Sequence, residues 1–121
     1  MLINDFYTCH DVQPQKDNEY SCTLVFNAAH DIFKGHFPGN PVVPGVCTME
    51  IVKELLQQQV NQSLMLSSTG NVKFLQLITP DVSPVIKISW KENENGSYTV
   101  KASLTKEDAT LFKFDGSYVV S

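Results

Sequence analysis

This chain contains no arginine in its 121 residues; all nine of its basic residues are lysines. It therefore has no planar guanidinium to grip a phosphate or carboxylate with two parallel hydrogen bonds. The lysines never run together in sequence, and the formal net charge is −4. Nucleic acid is not expected as a partner, because phosphate neutralisation needs clustered cations. No apolar run approaches the ~18 residues of a membrane-spanning helix. The opening Met1-Leu2-Ile3-Asn4-Asp5 lacks the basic start and long apolar region of a secretory leader. Only three cysteines occur, Cys9, Cys22 and Cys47. Odd in number and without metal-ligand spacing, they read as reduced thiols in a cytoplasmic protein.

What is present describes one domain over residues 1–121. The apolar fraction of 42% is ordinary for a soluble globular protein of this length and supplies a real core. Phe6 to Val12 reads as a first strand. Glu19 to Phe26 alternates polar and apolar over positions 19 to 24, as a half-buried strand does. Asn27 to Gly35 reads as a connecting loop. A helix is predicted from about Val46 to Gln62, with Val46, Met49, Ile51, Val52, Leu55, Leu56 and Val60 on a broad apolar arc. Glu50, Glu54, Gln57 and Asn61 fall on the opposite arc. Strands are expected over Asn71–Ile78, Val85–Trp90, Ser97–Leu104 and about Ala109–Val120, with Asn95-Gly96 marking a hairpin. One helix between two early and four late antiparallel strands makes an α+β domain, a sheet packed on a single helix.

The stretch that organises the chain is His36-Phe37-Pro38-Gly39-Asn40-Pro41-Val42-Val43-Pro44-Gly45-Val46. Three prolines and two glycines in eleven residues exclude helix and central strand, so the segment is a stiff, shaped loop. It leads directly into the helix, whose first amides lack intrahelical partners and carry the positive end of the dipole. A histidine titrates near neutral pH, and Glu50 follows it by fourteen positions. Together with the helix amides they offer a base, a carboxyl acid and an anion site.

His-Phe-Pro-Gly-x-Pro-x-x-Pro-Gly-Val with that acidic residue, preceded by Asp31-Ile32-Phe33-Lys34-Gly35, resembles the 3-hydroxyacyl-acyl-carrier-protein dehydratases. The resemblance implies a hotdog fold, an antiparallel sheet wrapped around one long central helix. It implies dehydration of (3R)-3-hydroxyacyl thioesters to trans-2-enoyl thioesters in fatty-acid or related lipid synthesis. His36 is then the base and Glu50 the acid on the hydroxyl side. The amides of Gly45 and Val46 form the oxyanion site, and Phe37 and Phe33 line the acyl tunnel or pack their loop on the sheet. A homodimer or higher homo-oligomer is implied, because the histidine and the acid of one site come from different subunits. Acyl-carrier protein is the implied partner, and no metal or organic cofactor is needed.

Two positions depart from the family pattern. Glu54 stands where the dehydratases commonly carry a glutamine one turn after the acid, so two carboxylates are expected on one helical face. Leu75-Gln76 replaces an arginine pair, leaving lysines such as Lys34 and Lys73 to hold a carrier. These departures keep a non-catalytic acyl-binding subunit open; a hotdog thioesterase is a further alternative, against which the His-Phe-Pro-Gly loop argues. His10 and His30 are read as structural, Cys47 as a small core or pocket-lining residue, and Trp90, Phe112, Phe114 and Tyr118 as core or dimer contacts.

Overall fold

Residues 1–14, 16–34 and 39–121 are described by the structure, a computed structural model. Within them β1 (Tyr7–His10) pairs with β2 (Glu19–Phe26), a one-turn helix α1 (Asp31–Lys34) follows, and the long helix α2 spans Gly45–Val60. The chain then runs through β3 (Leu64–Phe74), β4 (Val85–Glu92), β5 (Tyr98–Lys106) and β6 (Ala109–Val120). The six strands form one antiparallel sheet in the order β1-β2-β4-β5-β6-β3. This is the expected hotdog fold, with α2 as its long helix.

Alternation along each strand explains which face meets the helix. Ile86 and Ile88 on β4, Val100, Ala102 and Leu104 on β5, and Phe112 and Phe114 on β6 are buried. They meet Ile51, Val52, Leu55 and Leu56 of α2 in one core. Successive strand residues point to opposite sides, so Lys87, Lys101 and Lys113 project from the other face and are exposed. The β4–β5 turn holds Gly96 at φ +85°, a left-handed conformation that glycine adopts without penalty.

Four differences from the sequence reading have physical causes. Asn27–Gly35, read as loop throughout, contains α1, anchored by the buried Phe33. β3 begins at Leu64 rather than Asn71, and every residue from Met65 to Phe74 is exposed. An edge strand with neither face covered carries no alternation to detect. Glu54, expected on a polar arc, is fully buried beneath the N-terminal segment. Finally, lysines dispersed in sequence converge in space: Lys87 pairs with Ser103, Ser103 with Lys113, and Lys113 with Lys73.

Candidate active site

Pro44 caps α2 in extended geometry (φ −62°, ψ 144°), without a side-chain hydrogen bond. Proline suits this place because its fixed φ and missing N–H cost nothing before the first turn. Its carbonyl accepts the amides of Cys47 (2.9 Å) and Thr48 (3.2 Å). The first-turn amides of Gly45 and Val46 are ones for which the helix itself provides no acceptor. The preceding loop is tied to the sheet side of the molecule: the Val43 amide donates to the Ile78 carbonyl at 2.7 Å, and the Val43 side chain is buried. The end of the Pro/Gly motif thus fixes where the helix dipole points.

A groove of about 670 Å³ opens against this helix end. Gly45, Val46, Met49, Glu50 and Lys53 of α2 form one wall, Met65, Leu66 and Phe74 of β3 the other, and Tyr118 of β6 also lines it. Phe74 fits tightly against Gly45: a Cβ at position 45 would lie 3.0 Å from the ring. The groove therefore brings together three of the expected site residues, Gly45, Val46 and Glu50.

The charge of Glu50 is felt by its neighbours. Burial and then the Glu50 charge push the Tyr118 phenol up to about 12. The same two causes, in the same order, raise the Cys47 thiol. Cys47 is buried, and desolvation disfavours its thiolate. It is a core residue, the first of the two places expected for it. Tyr118, expected only as a core or dimer contact, is one of the groove residues that sequence reasoning missed, with Met49, Lys53, Met65, Leu66 and Phe74. Its place on the inner face at the end of β6 was the available signal.

Glu54 does not face Glu50 across the groove. Its carboxylate accepts the amides of Leu2 (2.7 Å) and Ile3 (2.9 Å) and the hydroxyl of Tyr7 (3.0 Å). Burial, followed by the nearby Glu54 charge, drives the Tyr7 phenol far above its usual range. Both Glu54 oxygens are engaged with the N-terminal segment. The residue is a structural anchor.

His36 and Phe37 lie outside the described residues. Phe33 is buried and stacks on Phe6 with ring centroids 5.0 Å apart, a placement that supports the packing alternative over the tunnel-lining one. His30 stands edge-on to Phe6 at 5.3 Å. Its Nε2 meets Asp5 at 3.1 Å, while its Nδ1 accepts the Ile32 amide. His10 is exposed and bonds Thr8 at 2.7 Å.

Comparison with known proteins now assigns the chain. The family model described as ApeI-like, ApeI dehydratase, matches residues 12–113. The chain belongs to the ApeI-like dehydratase family. Its relatives include the 3-hydroxyacyl-[acyl-carrier-protein] dehydratase FabZ of Ralstonia nicotianae, 26% identical over 108 residues. That match covers 81% of this ApeI-like chain and 65% of the relative, so the chain spans a little under two thirds of that protein. The FabZ of Wolbachia pipientis is 28% identical over 119 residues, covering 88% of this chain and 78% of the relative. Among solved structures, the dehydratase heterocomplex ApeI:P from Xenorhabdus doucetiae superposes with a TM-score of 0.77 at 25% identity. That superposition covers 93% of the ApeI-like chain and 97% of its counterpart.

Proposed function

We infer that this chain removes water from (3R)-3-hydroxyacyl groups carried as thioesters on acyl-carrier protein, giving trans-2-enoyl thioesters. The observation that carries this reading is the groove itself. It sets an apolar wall, a carboxyl group and the first turn of a helix around one space. Each part answers one requirement of the reaction. The apolar wall from Met49, Met65, Leu66 and Phe74 accommodates an acyl chain. The amides of Gly45 and Val46 stabilise negative charge that builds on the thioester oxygen as C2 loses its proton.

In the proposed mechanism His36 takes the C2 proton, the C2–C3 double bond forms, and the C3–O bond breaks. The hydroxyl leaves as water with a proton from Glu50. The proton held on His36 then returns, through solvent, to Glu50. An imidazole and a carboxyl group suit these opposite tasks. The thioester supplies the electron sink, so no cofactor enters the proposal.

The proposal includes a homodimer. β3 is an edge strand with exposed Met65 and Phe74, and Leu75 and Leu77 follow it, also exposed. Unpaired edge groups beside apolar side chains favour a second strand. A cytoplasmic setting accords with three free thiols. Among the described residues, no helix is long and apolar enough to cross a membrane.

Mass spectrometry of a 3-hydroxyacyl-carrier protein incubated with the chain tests the reading. Loss of one water from the acyl group is expected. Loss of the whole acyl group would instead indicate a thioesterase, and an unchanged mass an acyl-binding subunit.

A further inference from the structure

Among the described residues, the polar side chains lining the groove are Glu50 and Lys53 of α2 and Tyr118 of β6. Packing alone does not account for the polar atom of Tyr118. Its ring is buried, stands edge-on to Phe114 with centroids 6.2 Å apart, and lies between Leu66 on β3 and Tyr98 on β5. A phenylalanine would fill that volume equally well, because the ring supplies the apolar contact. The hydroxyl is an added polar group, and burying one without a partner opposes folding.

Two other buried tyrosines satisfy that group inside the fold. The Tyr7 hydroxyl donates to Glu54 at 3.0 Å. The hydroxyl of Tyr98, the cross-strand partner of Tyr118, lies 2.7 Å from Gln62 Oε1 and 3.0 Å from Glu92 Oε1. Among the described residues the Tyr118 hydroxyl has no such partner, yet no buried polar side-chain atom is left without one. It therefore opens on the groove and is not sealed in the core. The charge that reaches it is that of Glu50: burial, then this charge, pushes the phenol up to about 12. At neutral pH the group is an uncharged donor.

We propose that the Tyr118 hydroxyl is a second hydrogen-bond donor to the oxygen on C3 of the acyl group, from the sheet side of the groove, with Glu50 on the helix side. On the dehydratase reading, on which this rests, the thioester oxygen sits at the amides of Gly45 and Val46. C3 is then two bonds further along the acyl chain, and Glu50 follows Val46 by about 6 Å of helix rise. The C3 oxygen meets a carboxyl group from α2 and a phenol from β6. A hydroxyl oxygen has two lone pairs, so it accepts from both. As the C3–O bond lengthens, negative charge gathers on that oxygen and both hydrogen bonds strengthen. Tyr118 keeps its own proton throughout, and Glu50 supplies the one that leaves with water. The site thereby selects acyl groups hydroxylated at C3: a methylene there would leave the phenol desolvated and unpaired.

Binding of two unreactive ligands tests the assignment. Both are acyl-pantetheine amides, with nitrogen in place of the thioester sulfur so that C2 holds its proton. One carries the C3 hydroxyl and the other a methylene at that position. Tyr118→Phe should weaken the hydroxylated amide about fivefold to tenfold and leave the saturated amide within about twofold of wild type. Tyr98→Phe should leave the ratio of the two affinities unchanged. The melting temperature of Tyr118→Phe should stay within about 2 °C of wild type, and its kcat on the thioester should fall about tenfold or more. Equal weakening of both amides, or of neither, would overturn the proposal, as would wild-type protein that binds neither. A fall in melting temperature of more than about 5 °C would place the hydroxyl in a bond within the fold and would also overturn it. If the ratio shifts as expected but the wild type releases no water from the thioester, the C3-oxygen site stands and the dehydratase reading fails.

Discussion

Glu50 and Glu54 stand one turn apart on α2 and meet opposite surroundings. Glu50 is half-buried in the groove, whereas Glu54 is fully buried and anchors Leu2, Ile3 and Tyr7. Their substitutions should therefore separate. Glu54→Ala strands two backbone donors and a phenol, and should cost about 3 kcal/mol, read from the urea midpoint. At temperatures where that variant stays folded, its kcat should change less than about threefold. Glu50→Gln should do the reverse: a midpoint within about 0.5 kcal/mol of wild type and kcat lower by about a hundredfold or more. A stable, inactive Glu54 variant would contradict the anchoring role. The thiols divide in the same way. A hydrogen bond from Cys22 outweighs burial and lowers the Cys9 thiol to about 7, while burial and Glu50 raise Cys47. Below its pKa each sulfur is an unreactive thiol and above it a thiolate. Iodoacetamide at about pH 7.5 should therefore label Cys9 before Cys47. Peptide mapping that finds Cys47 labelled first would reverse this ordering.

Strand β6 lies between β5 and β3, and Gly116 leaves little room for a side chain there. Gly116 pairs with Val100 on one side and Thr69 on the other, beside the register shifts of β3. A Cβ there would lie 2.7 Å from the Ser68 carbonyl oxygen and equally near the Phe114 ring. Gly116→Ala should accordingly cost about 1–3 kcal/mol through local overpacking, lowering the melting temperature by several degrees. Amide exchange should quicken most along β3. Uniform acceleration over the whole sheet would locate the defect elsewhere. The same strands show what sequence can and cannot reveal. β2 and β6 match their expected bounds because one face of each is buried, and burial writes alternation into the sequence. The helix was equally plain, starting at Gly45 rather than Val46 and stopping where Asn61 turns left-handed (φ 56°). β3 was misplaced because its outer residues face solvent on both sides. Glu54 was misread because its partners lie about fifty residues away, beyond any helical wheel.

At the scale of the whole molecule, the motif announced the helix terminus and the carboxyl group of the groove. The contribution of Tyr118, the exposed edge of β3 and the assembled lysine face depend on strand order, which local pattern does not encode. The proposed homodimer also lives at this scale, and it makes a quantitative demand. If each site takes His36 from one subunit and Glu50 from the other, His36→Ala and Glu50→Gln homodimers each lack a complete site. Mixing the two after mild dissociation produces mixed dimers in which one site carries both substitutions and the other carries neither. Random reassortment makes half the population mixed, and half of the sites in each mixed dimer intact, so about a quarter of wild-type activity should return. Recovery should appear only after subunits exchange, and should follow the mixed fraction measured by native mass spectrometry. If activity stays absent once mixed dimers have formed, the two groups do not meet across a subunit boundary. A site contained within one subunit would also give no recovery, so the mixing experiment bears directly on the shared groove.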